Sequence, residues 1–306
     1  MTAKSRIPGF AGLAVVLATS GGLAAEPAAP LPRLFAERWI DGTNGAEPVA
    51  QVQSLDADTF VIRQSVKTNF EAPFLYLLFG RDKALLIDTG AEGGVIRPVV
   101  DRVIAEWLAA HGRQAIPLVV AHSHAHGDHI AGDAAFRDRP DTVLVGLKPA
   151  DVAAFFGIKR WPGDIATFDL GGRALSIIPT PGHQAAAMMV YDPRLKILLS
   201  GDTLYPGRLY VPVNFLGDNR ASIDRLSAFV RTHPIRAVLG AHIEMTRAPG
   251  RDYAHEALEH PNEHPLELPA SEIAKLRQGL RAKLDTPGQS QVHDRFIIVP
   301  VPPRDE

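Results

Sequence analysis

The stretch HSHAHGDH at residues 122–129 puts four of the chain's twelve histidines and an aspartate into eight positions. Histidine is neither a strong helix former nor a favoured core filler, so packing alone does not call for such a run. The residues ahead of it, IPLVVAH, read as a buried strand that runs directly into the cluster. Taken as extended or turning backbone, the run projects His124 and His126, two residues apart, to one side. Asp128 and His129 follow at a turn where Gly127 is expected to let the chain bend sharply. They can point at a second cation close to the first. Neutral imidazole and carboxylate are the usual donors to zinc or non-haem iron. The chain has no cysteine, so thiolate ligands and disulfides are impossible and any metal is held by His, Asp or Glu.

More donors stand where other apolar runs end. His183 closes TPGH, Asp202 sits in LLSGDT and His242 closes LGAH. Strands would deliver all three to one edge of a sheet scaffold, the usual place for a site. The strands themselves are legible. TFVIRQS and APFLYLLFG are rich in β-branched and aromatic residues, and RDKALLIDTG adds a turn and a third strand. VIRPVVDRVIAEWLAAHG has helical spacing and a C-terminal glycine at 112. The second half repeats the plan. RALSIIPTPGH, AAAMMVYD and LKILLSGDTL read as strands, NRASIDRLSAFVRTHP as a helix and IRAVLGAH as a strand, and LKILLSGDTL echoes DKALLIDTGA. Two such halves predict an α/β fold, a four-layer αββα sandwich of two mixed sheets with outer helices. PASEIAKLRQGLRAKLD reads as a further helix with Ser271 as its cap, and DRFIIVPVPP as a closing strand.

The chain starts differently. Lys4 and Arg6 precede the apolar run Phe10–Ala18, and small residues lead through Ala24 and Ala25 to an Ala/Pro-rich leader. This pattern reads as a secretory signal peptide over 1–25; the run is far short of the ~20 residues that span a bilayer. Residues 26–54 then hold a leader and first strand, and 55–306 one domain with an extension from about 250. The expected place is periplasmic or secreted, without stable membrane insertion after cleavage. Net charge is −2, and losing Lys4 and Arg6 makes the chain more acidic, which disfavours nucleic acid as a partner.

H-x-H-x-D-H at 124–129, followed in order by His183, Asp202 and His242, resembles the metallo-β-lactamase superfamily of metallohydrolases over roughly residues 55 to 245. The resemblance implies the same αββα sandwich. It also implies that His124, His126 and His183 hold one metal, that Asp128, His129 and His242 hold the other, and that Asp202 bridges them. Asp88, in LIDTG, would orient the histidine loop through hydrogen bonds. His122 is expected at the rim or behind the donors. Tyr205, Tyr210 and Asn214 are candidates to line a substrate pocket, as against loop packing. Trp161 is expected to be a buried aromatic anchor, and His255, His260 and His264 surface or loop residues.

The expected cofactor is a pair of Zn2+ ions, with iron or manganese as alternatives, and the expected partner a small-molecule substrate. Two cations about 3.5–4 Å apart can share a hydroxide that attacks an ester, lactone, thioester or amide. Asp128 would orient that nucleophile and pass its proton to the leaving group. Two other activities are carried as alternatives: a β-lactam hydrolase and a mononuclear iron oxidoreductase. A bridging Asp202 points away from true metallo-β-lactamases, and GDTLYPGRLY resembles the segment found in glyoxalase II-type thioester hydrolases and lactonases. The basic residues that grip glutathione in the former have no match here. GHQAAA also stands at 182–187 where such proteins commonly carry GHTPGS.

Overall fold

The computed structural model describes residues 30–282 and 284–305. The signal-peptide reading of residues 1–25 therefore lies outside the described residues. The first sheet runs β1 (Ala50–Asp56), β2 (Thr59–Gln64), β3 (Phe74–Phe79), β4 (Ala84–Ile87), β5 (Leu118–Ala121) and β6 (Thr142–Leu144), in that spatial order. β1 to β4 pair antiparallel. Helix α1 (Ile96–Ala110) then carries the chain back, so β5 pairs parallel with β4, Ile87 opposite Ala121. Gly112, at φ +61°, follows the end of α1 in the left-handed region that suits glycine.

Short helices α2 (Gly127–Ile130), α3 (Asp133–Arg137) and α4 (Pro149–Phe156) lie between β5 and the second half, which follows the same plan. β7 (Ala166–Asp169), β8 (Ala174–Pro179), β9 (Met188–Asp192) and β10 (Ile197–Gly201) pair antiparallel. Beyond β11 (Arg208–Pro212) and helix α5 (Leu216–Phe229), β12 (Ala237–Gly240) pairs parallel with β10. The short β13 (Glu267–Leu268) completes this sheet. The expected duplication is thus visible in the pairing, and Asp88 after β4 occupies the place that Asp202 occupies after β10.

Alternation along the strands builds the layers. In β3, Phe74, Tyr76 and Leu78 face the second sheet, where they meet Ile177, Val190 and Leu199. The intervening Leu75, Leu77 and Phe79 pack on Val100, Ile104 and Trp107 of α1. On the far side, Met189, Tyr191, Leu198 and Val238 pack under Ile223 and Leu226 of α5 and Ile273 and Leu276 of α6 (Ser271–Leu280). Strands covered on both faces read as unbroken apolar runs, as FLYLLF does.

Two expectations need correction. Gly127 makes no sharp bend: it opens the short helix α2 (Gly127–Ile130) without a positive φ, and that helical turn redirects the chain. Ser271 is not the cap of α6: it is the first helical residue, and Ala270 precedes it without a side-chain cap bond. The extension from about 250 supplies strands of its own. β15 (Ile297–Val301) pairs parallel with β11, Arg208 opposite Ile297, and antiparallel with β14 (Gln291–Val292), making a third sheet.

Candidate metal centre

The donors lie where strands of both sheets end. His124 and His126 follow β5, Asp128 and His129 begin α2, and His183, Asp202 and His242 follow β8, β10 and β12. They gather into two adjoining groups, His124, His126 and His183 in one and Asp128, His129, Asp202 and His242 in the other. In the first, His126 Nδ1 lies 3.0 Å from both His124 Nε2 and His183 Nε2. In the second, His242 Nε2 lies 3.3 Å from both His129 Nε2 and Asp128 Oδ2. Asp202 faces both: Oδ2 is 3.8 and 3.6 Å from His124 and His183 Nε2, and Oδ1 is 3.4 and 3.3 Å from His129 and His242 Nε2.

The hydrogen bonds behind the donors decide which way the lone pairs point. His242 Nδ1–H donates to the Glu71 carbonyl at 2.7 Å, and His183 Nδ1–H to the Tyr210 carbonyl at 2.8 Å. His129 Nδ1–H donates to Asp88 Oδ2 at 2.9 Å. Asp88 also accepts the Ser123 backbone N–H at 2.7 Å and its hydroxyl at 2.8 Å, and Ser123 Oγ lies 3.2 Å from His124 Nδ1. With Nδ1 carrying the hydrogen, each Nε2 presents a bare lone pair inward. Asp88 achieves this at φ +69°, a left-handed conformation that an aspartate tolerates better than most residues.

These donors fit a pair of divalent cations. Around zinc, tetrahedral donors about 2.0–2.1 Å from the ion lie about 3.3 Å from one another, which matches the spacings here. Asp202 Oδ1 is buried and has no hydrogen-bond partner, a costly arrangement that a cation relieves. The charges of the site divide the imidazoles: burial works against charge, but Asp128 and Asp202 push His129 and His242 well above the ordinary histidine value. Burial disfavours charge on Asp202, but the imidazoles of His242, His129 and His124 hold its carboxyl well below the usual range. Burial, with His129 beside it, pushes His124 well down, and burial takes His183 to about 4.

The donors floor a cavity of about 290 Å³. Tyr210 lines it, half-buried, with its hydroxyl pushed above the ordinary tyrosine value by burial and by Glu244. Tyr205 also lines it, but its buried hydroxyl is engaged by the Arg208 carbonyl at 2.5 Å and Glu244 Oε2 at 3.1 Å. Asn214 lies outside the lining; its amide holds the backbone of Arg304. His122 sits behind the donors, buried, with Nε2 2.9 Å from Asp133 Oδ1. Trp161 is half-buried against the inter-sheet core.

His260 and His264 are buried rather than on the surface. His260 bonds Glu263 at 3.0 Å, and His264 Nδ1–H donates to the Pro265 carbonyl at 2.6 Å. His255 is exposed as expected, yet it stands at the cavity mouth. Sequence reasoning also missed Glu71, Glu244, Val301 and Arg304 in the lining. Burial raises the Glu71 carboxyl to about 7. None of these belongs to a motif; only the ends of β11 and β15, once paired, bring Val301 and Arg304 here.

A hydroxyacylglutathione hydrolase of Rhizobium meliloti (strain 1021) is 31% identical over 125 residues, 40% of this chain and 47% of that protein. The chain thus spans about half the length of that relative. An acyl-coenzyme A thioesterase MBLAC2 of Gallus gallus is 26% identical over 211 residues, 56% of this chain and 72% of that protein. Among solved structures, a metallo-beta-lactamase from Pontibacter korlensis is 21% identical, with a TM-score of 0.45 over 63% of this chain and 91% of its own. The profile of the metallo-beta-lactamase superfamily matches residues 69–242, more than half of the sequence and every donor described above. The chain belongs to the metallo-beta-lactamase superfamily.

Proposed function

We propose that this protein is a hydrolase with a dinuclear zinc centre that cleaves a thioester, ester, lactone or amide of a small molecule. The observation that carries the reading is Asp202, whose two oxygens face two separate donor groups. A shared carboxylate of this kind suits a cation pair. His124, His126 and His183 would hold one ion, and Asp128, His129 and His242 the other. Bound there, the ions supply Lewis acidity and lower the pKa of water to about 7.

The chain's own side chains do the rest. Asp128 Oδ2, only part-buried, faces both the donor cluster and the cavity, where it can orient an attacking water and carry its proton to the leaving group. The raised Tyr210 hydroxyl stays protonated and can donate to a substrate oxygen. Thioesters come first among the bond types because two relatives are named for thioester hydrolysis.

Elemental analysis and a panel of thioesters, lactones, esters and a cephalosporin on zinc-loaded protein test the reading. Two zinc ions per chain and metal-dependent turnover of a thioester are expected. One iron with no zinc, or no hydrolysis anywhere in the panel, sinks it. We further propose export to the periplasm or beyond, which rests on Lys4 and Arg6 ahead of Phe10–Ala18. N-terminal sequencing of the protein recovered from the cell envelope fraction checks it; an intact Met1 overturns it.

A further inference from the structure

The cavity over the donors has one lysine or arginine in its lining, Arg304. It arrives from far along the chain. β15 adds to β11, and Pro302 and Pro303 then extend the backbone with fixed φ angles. Asn214 clamps the end of this segment from both sides, its Nδ2 donating to the Arg304 carbonyl at 2.9 Å and its Oδ1 accepting the Arg304 N–H at 3.2 Å. The clamp fixes the backbone and leaves the side chain exposed at the mouth.

That guanidinium is poorly matched to its surroundings. Arg208, close to this site, is paired with Glu244 at 2.7 Å and Asp252 at 2.9 Å. Among the described residues no carboxylate pairs with Arg304, and its Nη1 lies 3.4 Å from His126 Nε2. The Asn214 clamp holds the base of this side chain at the cavity mouth, over the donors. A guanidinium placed there with no carboxylate partner among the described residues is open to an anion, and its fork suits a carboxylate best.

We propose that Arg304 is a specificity residue whose guanidinium receives a carboxylate of the substrate. On the hydrolase reading above, on which this rests, the site takes thioesters or esters that carry a carboxylate a few atoms from the scissile carbonyl. The carboxylate occupies the mouth beside His126, and the scissile group lies over the donors.

Two measurements test this, one of which needs no turnover. Calorimetric titration of the zinc-loaded protein with glutarate and with butyrate is expected to show glutarate binding tighter by about 10-fold or more. In Arg304→Ala that preference falls toward one, and in Arg304→Lys part of it returns. The second measurement compares kcat/KM for a succinyl and a butyryl thioester of one thiol, and for one acyl group on a carboxylate-bearing and a neutral thiol. At least one pair is expected to favour the charged member about 10- to 100-fold, chiefly through KM, and Arg304→Ala should collapse that ratio. Asn214→Leu, which frees the segment, is expected to lower the same ratio. An unchanged ratio in Arg304→Ala, with metal content intact, overturns the proposal. If nothing in the panel of thioesters, lactones, esters and a cephalosporin is cleaved, the hydrolase reading fails while the glutarate titration still decides the role of Arg304.

Discussion

Asp202 and Asp88 stand at equivalent places in the two halves, yet they fail differently when changed. Asp202→Ala removes the one carboxylate facing both donor groups, so zinc content measured by elemental analysis is expected to fall together with hydrolysis. Wild-type activity in that variant would contradict the shared role. Asp88→Ala removes the acceptor that fixes His129 and Ser123, and zinc affinity is expected to weaken about 10- to 100-fold. His264 contributes to acid behaviour. Burial holds the His264 imidazole at about 4, below its ordinary 6.5. The unfolded chain takes up this proton below about 6.5 and the folded chain only below about 4, so the contribution is full above the first value and lost toward the second. Urea unfolding of wild type is expected to lose up to about 3 kcal/mol more than His264→Gln across that window; equal losses would count against it. At this scale the donors were legible because metal chemistry admits few residue types and strand ends mark them. Glu71 and Arg304 were not, since a lone charged residue in a loop carries no periodic signal.

Strands and helices were legible for a different reason: covered strands must be apolar throughout, and α1 and α5 must show one apolar stripe. What local pattern cannot encode is which distant strand is a neighbour, and so the third sheet, which pairs β11 with β15, escaped it. Close approach between elements is equally hidden. A Cβ on Gly240 would lie 2.2 Å from Tyr205 Cβ and 2.8 Å from the Leu204 carbonyl, pressing β12 against the loop after Asp202. Gly240→Ala is expected to cost about 1–3 kcal/mol in denaturant unfolding and to reduce zinc occupancy through His242, two residues on. Full occupancy with unchanged stability would mean that this loop yields freely. The buried Arg63–Glu263 pair, 2.5 and 2.6 Å across its two bonds, ties β2 to the loop before β13. Glu263→Ala leaves the fully buried guanidinium uncompensated, and a loss of about 3–5 kcal/mol is expected by the same measurement.

Across the whole molecule, each donor group draws on both halves. The first takes His124 and His126 from one sheet and His183 from the other, and the second combines Asp128 and His129 with Asp202 and His242. Cations would therefore staple the two sheets along their shared edge. Saturating zinc at about 1,000 times Kd stabilises by about 4 kcal/mol per site. Chelation is expected to lower Tm by on the order of 10 °C for a domain of this size; a Tm indifferent to chelator would show that the halves hold together without metal. The duplication was visible in the sequence because LKILLSGDTL repeats DKALLIDTGA, whereas the path of the chain past Gly250 has no counterpart to compare with.

That path has a consequence of its own. The parallel ladder from Arg208 to Pro212 and from Ile297 to Val301 is made by backbone groups, which are indifferent to the side chains they carry. Residues at the rim can therefore be exchanged without disturbing the bonds that seat the ribbon or the imidazoles beneath it. If Arg304 selects the substrate as proposed, choice of substrate and reaction chemistry would lie on separate stretches of polypeptide, and grafting a foreign ribbon onto β11 would offer a way to retarget the first while sparing the second.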